Sequence, residues 1–436
     1  MITTATPTQR ALLAAADLHG DHLWALDDSL AELALLARSD GLEVVAQITQ
    51  KLEHPSGSTY LGKGKVQEIV SLHKETPYDI ILFDDELSPS QQRNLEEATG
   101  VQVMDRTGLI LDIFAQRART HEGRLQVELA QYDYYLPRLT RLWTHLSRQT
   151  RGGVGLRGPG ETQLETDRRR VRKRISDLKR ELEEVRTHRA LHRQRRRAEM
   201  VPLVALVGYT NAGKSTLLHA LTGADVLIED KLFATLDPTT RRVKLPRGQE
   251  VLFSDTVGFI QKLPTQLVAA FRATLEELDE ADLLIHVVDI THPNAALQAQ
   301  AVGETLKDLK LDTKSVVTAL NKIDRLATAG DASVAGDAAT LDAIRQVAQP
   351  YPDAVAISAA QGIGLEDLLD RVETVLGAEQ VDITVLLPYD QGELVANIRR
   401  HGSVLAESYR KDGSHLHLRV PKWFVHQLRP FVAPDT

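Results

Sequence analysis

Four short stretches of the chain combine residue types and spacings that could bind a nucleotide. The first reads G-x-x-x-x-G-K-S from Gly208 to Ser215, between an apolar stretch and a helix-forming one. Glycines at both ends of such a loop let backbone N–H groups turn toward phosphates, and the following helix adds positive potential. Lys214 would reach the β- and γ-phosphates, and the Ser215 hydroxyl would bind Mg²⁺. The strand–loop–helix context therefore predicts a phosphate-binding loop.

The second stretch is D-T-V-G at 255–258, which follows the apolar run VLFS. Asp255 at the end of a strand could hold Mg²⁺ through a water, and the Gly258 backbone N–H could contact the γ-phosphate. D-x-x-G alone is a common string. Its position behind a strand and after a phosphate loop makes the assignment specific.

The third stretch is N-K-I-D at 321–324, again after an apolar run. The Asp324 carboxylate could accept hydrogen bonds from the N1–H and the 2-amino group of guanine, and Lys322 would lie along the base. Adenine lacks that donor pair, so this stretch predicts GTP rather than ATP. In the fourth stretch, AVAISAAQGIG, the backbone at 358–360 would contact the guanine O6.

These four elements follow one another in this order, each at the carboxyl end of a predicted strand, where open parallel sheets bind ligands. They predict a GTPase domain. The predicted GTP-binding residues in them are Gly208, Tyr209, Thr210, Asn211, Ala212, Gly213, Lys214, Ser215, Thr216, Asp255, Thr256, Val257, Gly258, Asn321, Lys322, Ile323, Asp324, Ser358, Ala359 and Ala360. A threonine between the first two elements could provide a further Mg²⁺ contact. Sequence position alone does not decide among the three candidates, Thr235, Thr239 and Thr240.

The residue after D-x-x-G is Phe259, where Ras-like enzymes carry a glutamine that orients the attacking water. A phenyl ring cannot do this by hydrogen bonding, so we expect slow hydrolysis by the protein alone, with Phe259 packed among apolar groups. Asn211 resembles the asparagine that binds K⁺ in cation-activated relatives; its alternative role is to stabilise the loop turn. A partner that supplies catalytic groups in trans is the second candidate to replace the missing glutamine.

The stretch RGGVGLRGPGETQLETDRRR, from Arg151 to Arg170, contains G-x-G-x-x-G at 153–158. This spacing can form a dinucleotide-binding turn, but here it follows a helical pattern rather than a strand. We therefore interpret it as the exposed tip of a helical hairpin. Fourteen Lys and Arg against six Asp and Glu from Glu165 to Ala198 indicate a polyanion contact, with a solvated helix face as the alternative.

The remaining patterns predict a multidomain α/β chain with four parts. A small α/β domain (1–120) has strands at 42–50, 78–85 and 101–105 and a helix in PSQQRNLEEATG that is closed by Gly100. Its loop at 60–65 is interpreted as a turn before a helix near Val66 rather than as an anion site. An antiparallel helical hairpin (121–198) precedes the P-loop GTPase domain (199–378). A small C-terminal α/β appendage (379–436) reads as strand, helix, strand, strand.

The predicted hairpin rests on two apolar patterns. Leu125, Leu129, Tyr132 and Leu136 would share one face of its first helix. In the second helix, which begins near Glu161, apolar residues are spaced alternately by four and three positions, as in a coiled coil. These residues are Val171, Ile175, Leu178, Leu182 and Val185.

Composition narrows the setting of this 436-residue chain. It has no cysteine, which excludes disulfides and thiolate metal sites, and its net charge of −8 argues against general coating of nucleic acid. Neither a secretory signal nor an apolar run long enough to span a bilayer is visible. We expect a cytoplasmic protein.

Taken together, GYTNAGKS, FATLDPTTR, DTVGFI, NKID and RGPGETQLETDRRR resemble the HflX family of GTPases over essentially the whole chain. The resemblance implies that FATLD is the first switch, which favours Thr235 as the Mg²⁺ ligand. It adds Phe233, Ala234, Thr235, Leu236 and Asp237 to the nucleotide site, with Lys214, Thr235 and Gly258 contributing to catalysis.

The same resemblance implies binding to the large ribosomal subunit and its rRNA, and the splitting of stalled ribosomes under stress. The predicted RNA contacts are Arg148, Arg151, Arg157, Arg168, Arg169 and Arg170. We expect GTP and GDP as ligands, and Mg²⁺ as a cofactor, with K⁺ as a second candidate. We expect a monomer that is partly associated with ribosomes, with neither DNA binding nor integral membrane association. The alternatives are a tRNA-modification GTPase, disfavoured because its relatives use a terminal cysteine, and a switch acting on a protein partner.

Overall fold

The computed structural model describes residues 8–18, 24–139, 163–198, 201–223, 232–262, 277–326, 351, 354–378 and 380–432. Two compact units make up the chain. The first contains Met1–Arg186, Asp230–Asp237 and Lys262–Arg272, and the second contains Thr187–Glu229, Pro238–Gln261 and Ala273–Thr436. The four-part division of the sequence stays a prediction, because these units follow other boundaries.

The first unit is built on a parallel sheet in the order β2-β1-β3-β4. Its strands are β1 (Arg10–Leu18), β2 (Glu43–Leu52), β3 (Ile80–Phe83) and β4 (Gln102–Asp105), and its helices are α1 (Leu26–Ser39), α2 (Lys63–Glu75), α3 (Pro89–Thr99) and α4 (Arg106–Arg117). The predicted strands β2, β3 and β4 are present, and Gly100 ends α3 as predicted, with its backbone in the left-handed conformation. The central strand β1 was not predicted. The predicted helix start near Val66 is three residues late, because α2 begins directly after Gly62.

The predicted hairpin is formed by α5 (His121–Tyr135) and α6 (Gln163–Ala198). Arg174 of α6 donates to both carboxylate oxygens of Glu128 at 2.8 Å, and Arg168 donates to the Leu139 carbonyl at 3.3 Å. The pairing of 174 with 128 and of 168 with 139 makes the two segments antiparallel. Within the coiled-coil pattern of α6, Ile175 and Leu178 are buried.

The face predicted for α5 is only partly correct. Leu125 is buried, whereas Leu129, Tyr132 and Leu136 are half-buried. A second buried row contains Val127, Ala130 and Tyr134. The helix therefore buries two sides, since Tyr134 donates to Asp105 at the start of α4 while Glu128 pairs with α6.

The second unit has a six-stranded sheet in the order β10-β9-β8-β5-β7-β6, in which only the β6–β7 pair is antiparallel. The strands are β5 (Leu203–Gly208), β6 (Thr239–Lys244), β7 (Glu250–Asp255), β8 (Leu283–Asp289), β9 (Val316–Asn321) and β10 (Val355–Ala356). Helices α7 (Lys214–Thr222), α8 (Ala295–Asp308) and α9 (Leu365–Ala378) connect or flank them. The central strands β5 and β8 are mostly apolar and buried along nearly their whole length, as is typical of strands with both faces covered.

The C-terminal part adds β11 (Gln380–Leu387), α10 (Gly392–His401), β12 (Ser403–Arg410), β13 (Gly413–Pro421) and α11 (Lys422–Leu428). The strand–helix–strand–strand order was predicted and α11 was not. Its antiparallel sheet has the order β11-β13-β12. Val372 of α9 and Phe424 of α11 belong to one continuous apolar core, so this small sheet is stabilised by packing on its neighbour.

Candidate nucleotide-binding site

The phosphate loop joins β5 to α7, and its glycines are required by close contacts. Gly208 and Gly213 have φ values of +153° and +97°. A side chain at Gly208 would overlap the Val287 carbonyl, and one at Gly213 would overlap the Asn321 amide. The loop therefore keeps its backbone close to two neighbouring strands, with α7 beginning at Lys214.

Lys214 is buried, and its Nζ donates to the carbonyl oxygens of Gly208 (3.2 Å) and Tyr209 (2.9 Å). Burial lowers the pKa of Lys214 to about 8, against the opposing attraction of Asp255. A lysine on this loop can exchange its carbonyl contacts for phosphate oxygens, because both are strong acceptors.

Ser215 and Asp255 come together as the sequence predicts. The Ser215 Oγ donates to Asp255 Oδ2 at 2.6 Å, and Asp255 is fully buried at the end of β7. Hydroxyl and carboxylate oxygens are the hard ligands that Mg²⁺ prefers, so this pair fits a magnesium site. Next to it, the Thr256 Oγ1 donates to the Leu206 carbonyl at 2.6 Å and fixes the start of the D-x-x-G turn on β5.

The D-x-x-G turn lies against the phosphate loop. A Cβ on Gly258 would approach Thr210 Cα within 2.8 Å and Lys214 Nζ within 2.9 Å, so only glycine fits. Phe259 is buried, as predicted, and its backbone donates to Gly208 O (3.0 Å) and accepts from Thr210 N (2.8 Å). Backbone hydrogen bonds thus hold this turn beside the loop.

The two base-recognition stretches contact each other and the phosphate loop. Asn321 donates to the Ala212 carbonyl at 2.8 Å and accepts from Ala359 N at 3.0 Å. The Ser358 Oγ donates to Asp324 Oδ1 at 2.6 Å, which orients the carboxylate assigned to guanine. Ile323 is buried in the core, so its side chain is structural, and Ala360 is exposed.

Lys322 has a partner that the sequence reasoning missed. Its Nζ lies 2.6 Å from Asp289 Oδ2 at the end of β8 and donates to the Asn211 carbonyl at 2.8 Å. Asp289 also accepts from the backbone N and side chain of Thr291. The sequence does contain a signal for Asp289, because VVD ends an apolar strand in the same way as the other site elements do.

The FATLD segment does not belong to the compact unit that carries these residues. Residues 233–237 are part of the first unit, where Phe233 and Leu236 are buried. The structure therefore does not join Thr235 to the Ser215–Asp255 pair in one unit. Asn211 has a φ of +61°, a conformation that asparagine tolerates better than most residues, which accords with a role in the loop turn.

Among the predicted RNA contacts, Arg169 and Arg170 are exposed on α6, and Arg170 lies 3.8 Å from Asp167. Arg168 is half-buried through its bond to the Leu139 carbonyl. Arg148, Arg151 and Arg157, and the G-x-G-x-x-G stretch, lie outside the described residues.

Comparison with known protein families matches nearly the whole chain. Family models described as the N-terminal part and the middle region of a GTP-binding GTPase match 27–115 and 117–196. A model described as a 50S ribosome-binding GTPase matches 203–322, and one described as the HflX C-terminal domain matches 343–423. The GTPase HflX of Caldanaerobacter subterraneus subsp. tengcongensis is 45% identical over 406 residues, covering 93% of this chain and 90% of that protein.

The chain belongs to the HflX family of GTPases.

A further relative and one solved structure are also similar to this chain. The GTPase HflX of Escherichia coli is 44% identical over 395 residues, covering 90% of each chain. A solved structure of a GTP-binding protein from Sulfolobus solfataricus in complex with GDP is similar over 84% of this chain and 98% of its own, with 24% identity and a TM-score of 0.42. As an HflX GTPase the chain is a GTP-hydrolysing enzyme with a P-loop GTPase domain, as predicted. Among the described residues, none of the helices is long and apolar enough to cross a membrane.

Proposed function

We propose that this HflX GTPase binds the large ribosomal subunit and couples GTP binding and hydrolysis to the splitting or rescue of stalled ribosomes under stress. The observation that carries the proposal is the match of 203–322 to a family described as 50S ribosome-binding. The basic α6 supports it, because Arg169, Arg172 and Lys173 are exposed on this helix and positive charge attracts phosphates.

In the proposed mechanism, Asp324 and Ser358 select guanine while Lys214 exchanges its loop carbonyls for the β- and γ-phosphates. Ser215 and Asp255 would hold Mg²⁺, which neutralises developing charge on the phosphates. The Gly258 N–H would donate to the γ-phosphate, and Thr235 would complete the site from the first switch. Phe259 cannot orient water, so hydrolysis is slow until the ribosome supplies the missing groups.

Asn211 has two candidate roles, K⁺ binding beside the phosphates and stabilisation of the loop turn. Under the first role, GTP turnover in KCl exceeds turnover in NaCl, because K⁺ there would act as an arginine finger does. Equal rates in the two salts would assign Asn211 to the turn alone.

Co-sedimentation with purified ribosomal subunits tests the binding part of the proposal. We expect the protein to pellet with large subunits in a non-hydrolysable GTP analogue and less so in GDP. The double variant R169E/R172E should reduce this binding at least about tenfold and flatten its salt dependence. R93E, which changes an exposed arginine on α3, is the matched control. Equal binding of R169E/R172E and the parent protein would exclude α6 as the rRNA contact.

A further inference from the structure

Two segments that flank the nucleotide motifs in sequence pack with the first unit rather than the second. One contains FATLD and the other begins at Lys262, four residues after Gly258. We call residues 232–237 and Lys262 the docked segments. The surface that receives them, the receiving surface, consists of Ser39, Asp84, Asp85, Phe114, Arg119 and Thr120.

Asp237 binds the start of α5. One of its oxygens accepts from the backbone N–H groups of Arg119 (2.7 Å) and Thr120 (2.8 Å), and the other accepts from the Thr120 hydroxyl. A Cβ at Gly123 would overlap this carboxylate, so glycine leaves room for it. The negative charge also interacts favourably with the dipole of α5.

Lys262 binds two aspartates at the carboxyl end of β3. Its Nζ lies 2.6 Å from Asp84 Oδ2 and 2.7 Å from Asp85 Oδ1. Burial alone would lower the pKa of Lys262, but the attraction of both carboxylates raises it above its usual value. Asp84 is itself buried and held by Arg106 and Ser29, so the acceptor side of this contact is preorganised.

Apolar and backbone contacts complete the docking. Phe233 packs edge-to-face on Phe114 with ring centroids 4.7 Å apart, and Leu232 N donates to the Ser39 hydroxyl at 3.2 Å. Phe233 and Lys262 both have left-handed backbone conformations, with φ values of +57° and +53°. Such strain persists in non-glycine residues only when surrounding contacts hold it.

The phosphate loop is hydrogen-bonded to the residue that directly precedes Lys262 in the chain. The Tyr209 hydroxyl accepts from Gln261 N at 2.8 Å, and Gln261 precedes Lys262. On the other segment, Thr235 lies two residues from both Phe233 and Asp237, a span of about 7 Å at most. Movement of Thr235 toward a nucleotide would therefore pull on both anchors.

We propose that the receiving surface is an internal binding site for the docked segments, occupied with GDP and vacated when GTP draws those segments to its γ-phosphate. The proposal rests on the assignment of Thr235 and Gly258 to the GTP site. GDP cannot compete for the segments because it lacks the γ-phosphate, and only differential contacts shift such an equilibrium. Release of Asp237 and Lys262 exposes the start of α5 and the Asp84–Asp85 pair as nucleotide-dependent surfaces.

Hydrogen exchange of the full-length protein tests the proposal. The backbone amides of Leu232, Arg119 and Thr120 report directly on docking, because each donates to the opposite partner. We expect slow exchange at these amides with GDP and at least tenfold faster exchange with a non-hydrolysable GTP analogue. K262Q and, independently, D85N should make the exchange fast with both nucleotides.

K310Q is the matched control, because Lys310 is also a lysine with a left-handed backbone (φ +60°) but lies after α8 in the second unit. It should behave like the parent protein. Equal exchange with the two nucleotides in the parent protein, or unchanged protection in both K262Q and D85N, would overturn the proposal.

Nucleotide titrations on the same samples separate this proposal from the site assignment. Releasing the segments should tighten GTP-analogue binding by about fivefold or more in K262Q and leave GDP binding unchanged. Failure of the parent protein to bind the GTP analogue would refute the nucleotide site itself, whereas binding without a change in exchange refutes only the docking switch. No ribosome is needed, so the outcome is independent of the ribosomal function.

Discussion

Burial gives Lys214 a property that can be measured in solution. Its pKa is lowered to about 8 before nucleotide binds, and phosphate binding requires the protonated form. Above pH 8 the protonated fraction falls about tenfold per pH unit, so the Kd for GTP should rise by the same factor. Titrations with a fluorescent GTP analogue between pH 7 and 9 check this.

K214R is the control, because arginine stays protonated throughout this range. The Kd of K214R for GTP as a function of pH therefore reports any titration of the guanine base, even if K214R binds GTP more weakly than the parent protein. If the Kd of the parent protein for GTP changed with pH in the same way as that of K214R, this would contradict a lowered pKa of Lys214.

Asp40 carries a second consequence of burial, in the first unit. Burial raises the pKa of Asp40 to about 7, with repulsion from Asp112 adding to it and the hydrogen bond from Gln116 opposing it. The folded protein therefore binds a proton more tightly than the unfolded chain, and the free energy of unfolding falls as pH rises from about 4 to about 7. D40N should remove this loss.

We expect D40N to raise the free energy of unfolding at pH 8 by about 1–2 kcal/mol, a value reduced from the full shift because Asp40 is partly exposed. Thermal unfolding at pH 5 and pH 8 measures the difference. D133N, at an exposed position on α5, should change neither value. A D40N effect that is the same at both pH values would point to packing rather than charge.

At the scale of elements, α6 buries a short apolar row that contains Ile175 and Leu178. Leu178 is fully buried, whereas Leu182 one turn later is half-buried. L178A should lower the free energy of unfolding of the first unit by about 2–5 kcal/mol, the usual cost of a cavity at a buried leucine. Urea unfolding followed by circular dichroism measures it.

L182A is the matched control and should cost clearly less than L178A, because more of its side chain already contacts water. Equal losses for the two variants would show that burial in the hairpin does not determine its stability.

The elements that the sequence predicted have strong local signals, and those that it missed do not. Gly100 ended α3 and the alternating spacing located Ile175 and Leu178, since capping and periodicity are properties of neighbouring residues. Strand β1 (RALLAAADL) is rich in alanine, which favours helices, and only its position between β2 and β3 makes it a strand. Tertiary pairing overrode local preference.

At the scale of the whole molecule, the sequence predicted which residues would contact phosphate, Mg²⁺ and guanine, because each motif has a fixed spacing and follows a strand. It did not reveal where the FATLD segment docks. The bond between Asp237 and Arg119 joins residues 118 positions apart, and no local pattern encodes such a contact. The Asp289–Lys322 pair was missed although each residue follows an apolar run, because the pairing itself joins residues from different strands.

The proposed ribosomal function makes a prediction about residues 152–158, which the sequence predicts to be the tip of the hairpin. Shortening 152–158 should leave GTP turnover of the protein alone unchanged and abolish its stimulation by ribosomal subunits, because Arg157 in this stretch is assigned to rRNA and not to the nucleotide. Replacing the same residues by a glycine–serine stretch of equal length separates loss of length from loss of charge. Loss of basal turnover in the shortened variant would return this stretch to the nucleotide site.

GTP turnover with and without purified large ribosomal subunits tests the central claim most directly. Because Phe259 stands where a water-orienting glutamine would be, we predict slow turnover alone and an increase of at least about tenfold with large subunits, with no comparable effect of small subunits. Turnover that is unchanged by large subunits at saturating concentration would contradict the account.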